Sequence, residues 1–274
     1  MSPALVEFAE LAPLGIVVGL YGTLIGAGGG FVLVPVLLLI MPGVDAATIT
    51  STSLAVVFFN SYSGSMVYMR MRRIDYFAAT LLVLAGLPGA VFGSMLAHRI
   101  PRSGFEPAFG LMLVIAGLWM AWKPLGGMLA TAQRPQAAED NVEALPRDSS
   151  FNTLVASLGG AYIGLLSSLL GIGGGIIQVP FLVRVLRFPP HVATATSQLV
   201  LAILSLAATI AHVALGAFQT GIDRTMFLAV GVMMGAPIGA MLSSRVRGSV
   251  IVKLLALGLG LVGMRLLLGG LFAR

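Results

Sequence analysis

The sequence predicts an all-helical polytopic membrane protein built from two inverted repeats, each a short glycine-tipped hairpin followed by three transmembrane helices. Three observations carry this expectation. First, 58% of the 274 residues are hydrophobic and 9% are charged, with a mean hydropathy of +1.00, whereas a soluble domain carries about 25% charged residues. Ten acids and sixteen bases cannot solvate a globule of this size, which excludes a soluble enzyme and a disordered chain. Second, apolar runs recur along the whole chain at membrane-spanning length or about half of it. Third, the two halves repeat each other.

In chain order, apolar stretches lie at 8–25, 31–41, 47–69, 76–97 and 105–122, and again at 152–170, 176–183, 192–218, 225–243 and 249–272. A crossing helix needs about 20 residues. At 1.5 Å per residue, the second stretch of each set reaches only about half of the hydrocarbon core. The first two stretches of each set therefore read as a hairpin that enters and returns, or as two crossings of the same parity. Residues 123–150 are polar and include Arg134, Pro135, Glu139, Asp140, Glu143, Pro146, Arg147 and Asp148. They form a surface linker between a first repeat at 1–122 and a second at 151–274. Glu7 and Glu10, with no base near them, do not resemble the positive start of a signal peptide, so the first apolar run is expected to be retained.

The repetition is position by position. Shifted by 145 residues, Leu24, Gly26, Gly28, Gly29, Gly30, Val34 and Pro35 fall on Leu169, Gly171, Gly173, Gly174, Gly175, Val179 and Pro180. One deletion later, Thr50, Thr52 and Ser53 fall on Thr194, Thr196 and Ser197. Ile74-Asp75 then resembles Ile222-Asp223, and Gly89-x3-Gly93 resembles Gly235-x3-Gly239. Ordered similarity of this kind marks a duplication, and duplicated halves are characteristic of transporters.

The bases choose between parallel and inverted halves. A hairpin and three spans make an odd change of side, which turns the second half over. That arrangement puts ten bases on one face, among them Arg70, Arg72, Arg73, Arg245 and Arg247, and leaves Arg99, Arg102, Arg224 and Arg274 on the other. A parallel arrangement splits them six against eight. Cytoplasmic loops collect Lys and Arg, so the inverted arrangement is preferred, with the linker cytoplasmic and both termini periplasmic. The net charge of +6 has the same origin and does not call for a nucleic-acid partner. The partners expected are a small solute and the lipid bilayer; a homodimer is left open.

Gly26-Ala27-Gly28-Gly29-Gly30 and Gly171-Ile172-Gly173-Gly174-Gly175 each precede a short helix inside apolar sequence. Glycine permits left-handed backbone and close approach to peptide N–H groups. A helix starting there offers unpaired N–H groups and about half a unit of positive charge, which suits an anion. The competing reading is close helix packing; repetition with identical spacing favours a site. Neither run fits a nucleotide-binding motif. Thr50, Ser51, Thr52 and Ser53 follow the first tip, and Thr194, Thr196, Ser197 and Gln198 follow the second, with Gln178 inside the second short helix. Hydroxyl and amide groups hold oxyanions without a charge to desolvate, although capping and interhelical bonding are alternatives.

No Asp or Glu lies well inside a predicted span; Asp45, Asp75, Glu106 and Asp223 sit near the ends. This argues against a carboxylate relay and a cation substrate. His212 lies within a span and is a candidate for proton coupling, or for a packing role. With no cysteine there is no thiolate site, and no cofactor or metal is implied. An intramembrane enzyme would have to use Ser167, Ser168 and His212, but no nucleophile elbow or zinc motif is present, so a non-enzyme is expected. A channel with the glycine tips as its filter is the alternative to a carrier.

The paired G-x-G-G-G runs, each with a proline five residues on (Pro35, Pro180) and a hydroxyl-rich start to the next span (Thr50–Ser53, Ala193–Ser197), resemble the TauE/SafE family of sulfite exporters. The resemblance covers nearly the whole chain outside the linker. It implies an inner-membrane transporter for sulfite or another small sulfur-containing anion, such as an organosulfonate, without naming the anion or the direction. Ala27 against Ile172, and Ser51 against Ala195, make the two half-sites chemically unequal.

Overall fold

The computed structural model describes residues 3–41, 43–122, 152–217 and 222–246, with six isolated positions between 250 and 264. The linker at 123–150, most of the predicted span at 249–272, and the side chains of Glu106, Trp119 and Trp122 lie outside the described residues. Among those described there are nine helices and no strand: α1 (Pro3–Leu24), α2 (Gly30–Ile40), α3 (Ala46–Arg70), α4 (Tyr76–Ala97), α5 (Arg102–Trp122), α6 (Thr153–Leu170), α7 (Gly175–Arg184), α8 (Pro190–Ala214) and α9 (Ile222–Ser243). Each predicted stretch as far as 243 has its helix, with ends displaced by a few residues.

Local chemistry sets the ends. Asp45 caps α3, its carboxylate accepting from the Thr48 amide at 3.0 Å. Asp75 caps α4 through the Ala78 amide, and Asn152 caps α6 through Leu154 and Val155. These side chains satisfy first-turn amides that would otherwise be orphaned, which is why acids sit at span ends. Pro190 opens α8 at a position where the missing N–H costs nothing.

Among the described residues, five helices are long and apolar enough to cross a membrane: α4, α6, α8, α9 and, from Glu7 onward, α1. α3 has 25 residues and is as long as α8, but its first half is rich in hydroxyls. α2 and α7, with 11 and 10 residues, reach about half of the core thickness.

The helices pair across the halves. α1 lies along α9 and α4 along α6. Glycines make both contacts: Gly235 and Gly239 meet the α1 backbone at Ile16 and Leu20, and Gly89 and Gly93 meet the α6 backbone at Ala161 and Leu165. Small residues allow helix backbones this close where burying apolar surface gives no advantage over lipid. Between these pairs α3 and α8 cross, with 17 of 25 α3 residues buried against 9 of 22 in α4. The turn after α3 meets the start of α8, where the Asp75 amide donates to Thr196 Oγ1 at 3.0 Å. The turn after α8 meets the start of α3, where Thr48 Oγ1 donates to the Ala217 carbonyl at 3.2 Å. α3 and α8 therefore run antiparallel.

Candidate functional site

The two glycine turns have the same backbone. Gly26, Gly28 and Gly29 have φ of 76°, 72° and 80°, and Gly171, Gly173 and Gly174 have 73°, 77° and 83°. Only glycine occupies this left-handed region three times in four residues at no steric cost. The turns also double back. Gly29 lies against Val18 and Gly22, and Gly174 against Ser167 and Ile163, so α2 and α7 begin beside the helices that precede them. Gly29 and Gly174 are the residues before each short helix, and neither helix has a side-chain cap.

The turns meet each other. A methyl group on Gly30 would stand 2.6 Å from the Ile172 carbonyl oxygen, and Gly175 is equally tight against Ala27. Each turn is also clasped by the other half. A methyl on Gly26 would lie 2.8 Å from the Thr194 Cα, and one on Gly171 would lie 2.8 Å from the Thr50 Cα. Ser197 Oγ donates to the Gly26 carbonyl at 3.0 Å, and Ser53 Oγ to the Gly171 carbonyl at 2.6 Å. Val57 sits where they converge, against Gly28, Gly30 and Gly173.

These contacts separate the predicted residues by role. Ser53 and Ser197 hold the turns. Ser51 bonds the Thr48 carbonyl of its own helix, and Thr196 accepts from Asp75. Thr52 is buried. Among the described residues, the Thr50 and Thr194 hydroxyls have no hydrogen-bond partner although both residues are fully buried beside the opposite turn. Gln178, one turn into α7, is buried with both ends of its amide unpaired. Gln198 Nε2 donates to the Gly22 carbonyl at 3.3 Å and leaves Oε1 unpaired. The glycines, both threonines and Gln198 thus share one buried region between the halves, and Gln178 lies buried in the helix that the second turn opens. His212 does not join it. It lies near the far end of α8, buried, with its ring 5.0 Å from that of His98.

Sequence reasoning missed Val57, Thr23, Ser61 and His98. A valine in an apolar span carries no signal, and Ser61 reads as one more helical hydroxyl. Thr23, three residues before a glycine run, was the only one with a positional cue.

Comparison with known proteins decides the family. Residues 11–266 match the family described as sulfite exporter TauE/SafE. The chain belongs to this family. Its relatives include a protein of Bacillus subtilis strain 168 named a probable membrane transporter, YunE, 26% identical over 97% of this chain and all of that one. Another, from Methanocaldococcus jannaschii and named a probable membrane transporter, MJ0441, is 26% identical over 96% of this chain and 97% of its own. A third, from Xylella fastidiosa strain Temecula1, is 28% identical over 82% of this chain and 81% of its own. No solved structure matches. This TauE/SafE chain is therefore a multi-pass membrane transporter.

Proposed function

We propose that this protein carries a small sulfur-containing anion, sulfite or an organosulfonate, across the inner membrane by alternating access. The single observation behind the reading is the pair of uncapped helix starts, packed together in a buried and uncharged centre beside the partnerless hydroxyls of Thr50 and Thr194. Peptide N–H groups and hydroxyls stabilise a spread negative charge without an opposing full charge, so the anion binds and leaves again. The reading includes inverted halves, the linker cytoplasmic and both termini periplasmic. Antiparallel α3 and α8, which are equivalent under the 144-residue shift, support the inversion. The tight packing of the turns around Val57 supports a carrier over an open anion channel.

The test is uptake of labelled sulfite and small sulfonates into proteoliposomes, with Gly29→Leu and Gly174→Leu compared. Saturable, trans-stimulated transport by the wild type and its loss in both variants is expected; unimpaired transport by both variants rejects the glycine site. His212, which stands apart from the turns beside His98, is the candidate for coupling transport to protons, with packing as its other role. His212→Gln is expected to abolish acceleration by an imposed pH gradient while leaving exchange at equal pH; a gradient response that persists removes His212 from the mechanism.

A further inference from the structure

The two halves are alike at their turns and unlike beside them. Next to the first turn, four polar side chains are fully buried: Thr23, Asn60, Ser61 and Gln198. Thr23 Oγ1 donates to Asn60 Oδ1 at 3.1 Å. The cluster borders the turn, since a methyl on Gly28 would lie 3.2 Å from Ser61 Oγ and Gln198 holds the Gly22 carbonyl. A methyl on Gly64 would stand 3.2 Å from Thr23 Oγ1 and 3.6 Å from Gln198 Oε1, so both oxygens lie against the same glycine. Among the described residues, Asn60 Nδ2, Ser61 Oγ and Gln198 Oε1 remain without a partner.

The second half carries no counterpart. Under the same shift Asn60 falls on Leu204, and Gln198 on Leu54. Thr23 falls on Ser168, which bonds Ser94, and Ser61 on Ser205, which bonds the Leu201 carbonyl. Packing does not explain the difference, because leucines fill the equivalent positions. The second turn has a different unpaired neighbour, the Gln178 amide, whose equivalent in the first half is Leu33. Unpaired buried donors and acceptors cost free energy, so the set beside the first turn, with donors and an acceptor together, points to a neutral polar group on the ligand at that turn.

We propose that Asn60, Ser61 and Gln198 form a subsite for a neutral hydroxyl group on the transported anion, so that the substrate class is a short hydroxylated sulfonate. This rests on the anion reading above. The cluster has donors and an acceptor but no charged member, so a second carboxylate or an ammonium group would be buried there uncompensated. A hydroxyl accepts from Asn60 or Ser61 and donates to Gln198, and it suits either orientation of the two amides because it does both.

The experiment measures uptake of labelled ethanesulfonate, 2-hydroxyethanesulfonate, sulfoacetate and sulfite by proteoliposomes holding wild type, Asn60→Leu or Ser61→Ala. The wild type is expected to favour 2-hydroxyethanesulfonate over ethanesulfonate by about tenfold or more, the worth of one well-made hydrogen bond. Asn60→Leu is expected to erase most of that preference. Ser61→Ala, which removes a single unpaired oxygen, is expected to weaken the preference and decides the matter if Asn60→Leu does not fold. Equal uptake of the two sulfonates by wild type, a preference for sulfoacetate, uptake of sulfite alone, or a preference unchanged in both variants overturns the subsite and leaves the anion reading standing. Absence of uptake of all four overturns the anion reading, and the subsite with it.

Discussion

Among the described residues, the Thr50 and Thr194 hydroxyls beside the turns have nothing to bond. Ser53 and Ser197, three residues on, each hold the carbonyl of the opposite glycine turn. The two kinds of hydroxyl should respond differently to removal. A hydroxyl that is buried and unpaired contributes nothing to the fold, so Thr50→Val and Thr194→Val should leave thermal stability in detergent unchanged or raise it. The same variants should lose the stabilisation that a bound anion confers on the wild type by mass action. Ser53→Ala or Ser197→Ala strands a buried carbonyl and should cost about 1–3 kcal/mol. Thermal unfolding with and without sulfite or sulfonate measures both effects; equal losses in all four variants would remove the threonines from the site. The sequence placed all four residues near the turns because they recur at the same shift. Which of them bond the turns and which stay free depends on the angle at which α3 crosses α8, and periodicity does not encode that angle.

At the scale of elements, the long helices are legible because lipid imposes a length and a composition on anything that crosses it. α3 shows the limit of that rule. It is not among the helices apolar enough by mean hydropathy, yet it lies at the centre and meets α8, α9 and α2. A helix surrounded by protein is free to carry hydroxyls that a lipid-facing helix is not. The glycine contacts give the prediction for this scale. Gly89 meets the α6 backbone and Gly235 the α1 backbone, so Gly89→Leu and Gly235→Leu should each destabilise the protein by about 2 kcal/mol or more through overpacking. Gly104, whose surroundings are open, should accept Leu within about 0.5 kcal/mol. Thermal unfolding of the three variants in detergent is the check, with comparable losses expected at the two equivalent positions.

For the whole molecule, the arrangement of the halves predicts membrane sidedness. The chain has no cysteine, so an introduced one is the only thiol. Arg70 ends α3, Arg245 follows α9 and Arg99 follows α4, all with exposed side chains. With inverted halves, Arg70→Cys and Arg245→Cys react with an impermeant maleimide from the cytoplasmic face and Arg99→Cys from the other. Labelling of Arg70→Cys and Arg245→Cys from opposite faces would instead support parallel halves. The count of ten bases against four already pointed this way, because the membrane reads charge at the loops. The pairing of α1 with α9 and of α4 with α6, across the halves rather than within them, was not readable from the bases, since the positive-inside preference fixes sides and not neighbours.

By itself the sequence determined that this chain is a helical membrane protein, where its described helices run, that its two halves resemble each other, and that glycine turns open two short helices. Those properties follow from hydropathy, spacing and the conformational freedom of glycine, all of which are local. Only the tertiary structure decided that the two turns touch, that each is held by a serine of the other half, and that the unpaired polar atoms around Asn60 gather beside the first turn. These depend on contacts between residues more than a hundred positions apart, and no local pattern constrains which side chain will face which.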